Sequence, residues 1–122
     1  MPGKRYEQYQ CFQSMLSRLL NYAAIMGIVV KGMEWYRTPE RAAQLAKAGT
    51  GIARSKHCLS LAVDMYIVTD SGKDIVWGKR GTPGEEKYRT LAIFWEGMGG
   101  KAGFYFKTLY DPYHFELKEN PA

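Results

Sequence analysis

The chain contains two histidines, and both stand close to carboxylates. His57 sits in Ser55-Lys56-His57, with Asp64 following on the same segment. His114 sits in Asp111-Pro112-Tyr113-His114-Phe115-Glu116. Asp64 is set among Leu61, Ala62, Val63, Met65, Tyr66 and Ile67, which predicts a carboxylate at least partly removed from water. Such a charge is costly unless it is paired or binds a metal. Taken singly, each group has a plain structural role open to it: a salt bridge for Asp64, a hydrogen-bonded core position for His114. Taken together, His57, Asp64 and His114 offer two imidazoles and one carboxylate. Three protein ligands with a fourth position left open are what a catalytic zinc requires. Asp111 precedes His114 across a Pro-containing bend and could reach a metal-bound water without ligating the metal. Glu116 shares a strand face with His114 and could orient it from behind. The spacing is not the helical HExxH pattern. A Cys/His nucleophile pair at Cys58 and His57 is disfavoured, because adjacent residues on an extended segment point to opposite faces.

These residues need elements to hold them. Phe12, Leu16, Leu19, Ala23 and Met26 recur at helical spacing, which predicts a helix from about Tyr6 to Met26, stopped at Gly27. Ile28-Val29-Val30 reads as a short buried strand running loosely toward Trp35. Thr38-Pro39-Glu40 is a helix start: a capping hydroxyl, a proline suited to the first turn and an acid at the positive end of the dipole. That helix runs to Gly49, and a loop follows over Thr50 to Ser60. Leu61 to Val68 is apolar and β-branched, so it predicts a strand. It turns at Asp70-Ser71-Gly72, and Ile75-Val76-Trp77 is the return. Thr82-Pro83 opens a third helix by the same capping logic, through Leu91, Phe94, Trp95 and Met98 to Gly99-Gly100. Two last strands are predicted near Phe104–Phe106 and Tyr113–Leu117. Mixed helices and hairpin-linked strands make an α+β domain.

The motifs resemble those of a known family. Ser55-Lys56-His57-Cys58-Leu59-Ser60-Leu61-Ala62-Val63-Asp64 resembles the SxHxxGxAxD motif of the D-alanyl-D-alanine carboxypeptidase and L-alanyl-D-glutamate peptidase family, with Ser60 at the usual glycine. Asp111 to His114 resembles its second metal motif, and Trp35-Tyr36-Arg37-Thr38-Pro39-Glu40-Arg41 resembles its GYRTPE segment. The likeness covers about residues 27 to 117. It implies Zn2+ held by His57, Asp64 and His114, with Asp111 as general base and acid. It implies that Arg37 contacts substrate and stabilises the developing oxyanion, with Ser55 and Glu116 supporting the ligands. The aspartate at 111 resembles the phage endolysin branch, which cuts between L-Ala and D-Glu in the peptidoglycan stem peptide. Two alternatives stand beside it: a D-alanyl-D-alanine carboxypeptidase or dipeptidase, and a non-catalytic, zinc-stabilised wall-binding module. The implied architecture is an antiparallel sheet with flanking helices and the zinc site at the sheet.

Bulk properties are compatible with this reading. A length of 122 residues predicts one domain over 1–122, and 46% hydrophobic residues can supply its core. The net charge of +5 suggests an anionic partner, and anionic envelope polymers qualify. The Lys and Arg residues are dispersed and no nucleic-acid motif is visible, so nucleic acid is not an expected partner. The apolar run Ala23 to Val30 is too short for membrane insertion. The N-terminus lacks the apolar stretch of a secretory signal. The expectation is a monomer made in a cytoplasm and acting on the wall or periplasm after release. Cys11 and Cys58 form no CxxC pair and are expected to be free, largely buried thiols.

Overall fold

The computed structural model describes residues 3–48 and 61–118. It is a small domain in which an antiparallel sheet is packed against helices. The elements in chain order are α1 (Lys4–Ile25), β1 (Val30–Glu34), α2 (Pro39–Lys47), β2 (Ala62–Val68), β3 (Ile75–Val76), α3 (Gly84–Gly97), β4 (Lys101–Ala102) and β5 (His114–Glu116). A single 3-10 turn, Gly103–Tyr105, follows β4. The strand order is β1-β2-β5-β4, and β3 also pairs with β2.

The helix ends follow from local chemistry. At the end of α1, the Gly27 amide bonds the Ala24 carbonyl and the Ile28 amide bonds the Ala23 carbonyl, with Gly27 at φ +73°. This is the Schellman stop, which requires a left-handed residue that glycine adopts without a Cβ penalty. The end of α3 repeats it with Gly99 and Gly100 bonding Glu96 and Trp95. Thr38 caps α2 by accepting from the Arg41 amide at 3.1 Å, with Pro39 in the first turn.

The start of α3 departs from expectation. Thr82 does not cap it; its hydroxyl donates to the Lys79 carbonyl, and Pro83 occupies the cap position without a side-chain bond. Glu85, in the first turn, reaches back to the preceding loop and accepts from the Gly81 amide at 3.0 Å. Three other expectations are corrected. Phe104–Phe106 is not a strand: the strand is Lys101–Ala102, and the chain then tightens into the 3-10 turn. Val29 is exposed and β1 begins only at Val30, because Ile28 alone turns inward after the helix stop. Cys11 is exposed, because it precedes Phe12 on the solvent side of α1. Cys58 lies outside the described residues.

The core is a continuous layer between α1, α3 and one face of the sheet. Phe12, Met15, Leu16, Leu19 and Ala23 come from α1; Tyr88, Leu91, Ala92 and Trp95 from α3; Val63, Met65, Ile67 and Phe115 from β2 and β5. The Trp95 ring meets Phe12 at 5.6 Å and Phe115 at 5.8 Å, both edge-on, the favoured aromatic geometry. Each fully buried large apolar side chain contributes roughly 1.5–3 kcal/mol. This layer holds β2 and β5 in place from behind.

Candidate metal centre

Strand alternation puts Asp64 on the face of β2 opposite Val63 and Met65, and puts His114 and Glu116 on the face of β5 opposite Phe115. The register pairs Asp64 directly with His114 and Ala62 with Glu116. The result is a row of polar groups on the sheet face away from the α1–α3 layer. The His114 Nδ1 lies 3.2 Å from Asp64 Oδ1, and its Nε2 lies 2.8 Å from Glu116 Oε1. On the other side of Asp64, an Arg37 Nη donates to Oδ2 at 3.4 Å, while Arg37 Nε donates to Glu34 Oε1 at 2.8 Å. Glu34 reaches this position because β1 pairs it with Asp64 in register. Arg37 and Asp64 are both buried.

Asp111 arrives from the loop before β5. Its amide donates to the Gly103 carbonyl at 3.1 Å, its carbonyl accepts from the His114 amide at 3.2 Å, and its carboxylate accepts from the Tyr113 amide at 3.3 Å. Gly103 is a close-approach position: a Cβ there would overlap the Asp111 carbonyl oxygen and press on the His114 Cβ. From the outer side the Phe106 ring packs on the His114 ring at 5.8 Å. From the core side the Trp95 indole N–H donates to the Glu116 carbonyl at 2.9 Å.

Asp64, Asp111 and His114 each offer a ligand atom, and these atoms lie within 4.8 Å of one another. They could hold a metal ion. The donor set is mixed, with carboxylate oxygens and an imidazole nitrogen, which suits a borderline divalent cation such as zinc. Burial alone opposes charge on His114 and is the largest single influence on it. The hydrogen bonds and charges of Asp64 and Glu116 outweigh it and push the imidazole up to about 9. The metal-free site therefore holds an imidazolium between two carboxylates, and a cation must displace its proton. Tyr66, two residues beyond Asp64 on the same face, is pushed up to about 12, first by burial and then by the charges of Asp64, Asp111 and Glu34.

Of the residues singled out in the sequence, Asp64, Asp111, His114, Glu116 and Arg37 converge on this one face. His57 and Ser55 lie outside the described residues. Arg37 is paired, and its partners are Glu34 and Asp64. Sequence reasoning missed Glu34, Tyr66 and Gly103. Period-two alternation from Asp64 would have flagged Tyr66; Glu34 and Gly103 need the strand register and the loop packing.

No family model matches the chain, and no curated protein does. Among solved structures, the chain is similar to the crystal structure of the Serratia marcescens L-Ala D-Glu endopeptidase ChiX, at 23% identity and a TM-score of 0.64. The match covers 97% of this chain and 89% of that one, so the two share a fold over nearly their whole length.

Proposed function

We propose that this chain is a zinc-dependent peptidoglycan peptidase that hydrolyses the L-Ala–D-Glu bond of the wall stem peptide. The observation that carries the reading is the cluster of Asp64, Asp111 and His114 on one sheet face, in a fold shared with an L-Ala D-Glu endopeptidase. His57, Asp64 and His114 are the proposed zinc ligands. A zinc ion held there supplies Lewis acidity toward a peptide carbonyl and toward water.

The chain's own groups do the rest. Asp111 is the general base and then the acid: its carboxylate takes the proton of the attacking water and returns it to the leaving amine. The turn that bonds its backbone to Gly103 and His114 sets its distance from the ligands. Glu116 accepts from His114 Nε2 and so directs Nδ1 toward Asp64. Arg37 holds the Asp64 carboxylate, and its remaining guanidinium donors serve the substrate oxygen on which charge develops. Ser55 supports the His57 side of the site. The net charge of +5 aids approach to anionic envelope polymers, a contribution that salt would weaken.

The test is the Asp111→Ala variant. It is expected to retain bound zinc and a normal melt while wall-peptide turnover falls by about a hundredfold or more, as for loss of a general base. Wild-type turnover in Asp111→Ala would remove Asp111 from the chemistry.

A further inference from the structure

Among the described residues, the hydroxyls of the tyrosines near this site have partners, with one exception. Tyr88 donates to the Val76 carbonyl at 2.6 Å and accepts from the Ile67 amide at 3.0 Å. Tyr113 accepts from the Gly78 amide at 3.0 Å, and Tyr110 donates to the Gly78 carbonyl at 2.6 Å. Tyr66 is half-buried, with its ring packed on Tyr113 at 5.1 Å, yet its hydroxyl bonds no group among the described residues. No fully buried side-chain oxygen among the described residues lacks a partner, so this hydroxyl is open to solvent and within reach of a substrate. It lies within the influence of Asp64, Asp111 and Glu34, at the rim of the candidate metal cluster.

Across from it on β1 stands Gly32. A Cβ at Gly32 would meet no atom within 4 Å, so the strand beside the phenol is bare. A glycine inside a strand often marks a place where another backbone comes close. β1 ends the strand order, so nothing in the sheet lies beyond it.

We propose that Tyr66 and Gly32 form a subsite for the substrate backbone, in which the phenol O–H donates to a peptide carbonyl oxygen while the chain passes over bare Gly32. The assignment rests on the wall-peptidase reading and deepens it. The acceptor is a neutral carbonyl, since three neighbouring carboxylates would repel an anion. Tyr66 contacts substrate away from the bond being cut, so its contribution falls on binding.

The experiment compares wild-type, Tyr66→Phe and Gly32→Leu proteins, zinc-loaded, on a synthetic L-Ala–D-Glu–diaminopimelate–D-Ala peptide. Metal content and melting temperature are read alongside. Tyr66→Phe is expected to keep both, because the hydroxyl has no partner among the described residues to lose, and to raise KM about three- to tenfold with kcat nearly unchanged. Gly32→Leu is expected to raise KM further by filling the bare face, again without loss of metal. A wild-type KM in Tyr66→Phe, or a defect that tracks lost metal or a lowered melt, would overturn the subsite alone. A wild-type protein that leaves the peptide uncut with zinc bound would overturn the peptidase reading and the subsite with it.

Discussion

The two faces of β2 and β5 are built on opposite logic, although their residues alternate along the same few positions. Val63, Met65, Ile67 and Phe115 face the α1–α3 layer and are completely buried. Asp64, Tyr66, His114 and Glu116 face the other way, and the two carboxylates and the imidazole among them form a chain of charged contacts with Arg37 and Glu34. The first face is non-directional: any well-fitting apolar group would serve. The second is directional, since each group is held by the angle and distance of its neighbour. Burial fixes where the strands lie, and the register they are locked into then brings Asp64 and His114 together.

Adjacent substitutions on β5 break this comparison most sharply. Phe115→Ala is expected to cost about 3–5 kcal/mol in a thermal or denaturant melt, yet leave metal bound per folded molecule unchanged. His114→Ala is expected to melt cooperatively but to lose metal and nearly all turnover. The reverse pattern, with metal lost in Phe115→Ala and retained in His114→Ala, would dissolve the distinction between the faces.

Gly103→Ala strikes the join between the faces. The added methyl must push the Asp111 backbone, and displacement of a reacting group by about 1 Å can cost on the order of a hundredfold in rate. Turnover should therefore fall much further than stability, which overpacking lowers by about 1–3 kcal/mol. An active Gly103→Ala protein would show that the Asp111 turn has slack.

The smallest effect expected is that of pH on the metal-free protein. His114 is raised in the folded state to about 9 from its ordinary 6.5, so its protonated form stabilises the fold. That contribution is complete below about pH 6.5 and is lost as pH rises through 9. Melts of metal-free protein should weaken across this window. Stability that rises there would contradict an imidazolium held between Asp64 and Glu116.

Much of this arrangement was legible in the sequence, and the limits have physical causes. Period-two alternation put His114 and Glu116 on one face, and the apolar run around Asp64 marked a buried carboxylate in need of partners. Capping chemistry located the stop of α1 at Gly27 and the start of α2 at Thr38 closely, because a cap is a local bond. The start of α3 misled because Thr82 turns its hydroxyl back to Lys79, a choice made by the preceding loop. The strand assigned to Phe104–Phe106 failed because aromatic residues suit a pleated surface and a tight turn against a core equally well. The partner of Arg37 was out of reach of local reasoning: Glu34 lies close by in the chain, but Asp64 is joined to it only through the β1–β2 register.

The central claim is tested most directly by digesting Gram-negative peptidoglycan with the purified chain, with and without a zinc chelator, and identifying the released products by mass spectrometry. The account predicts chelator-sensitive release of peptides with a new N-terminal D-Glu. Release of D-Ala alone would move the cut to the D-Ala–D-Ala bond, and intact wall after incubation with folded, zinc-loaded protein would contradict a peptidase at this site.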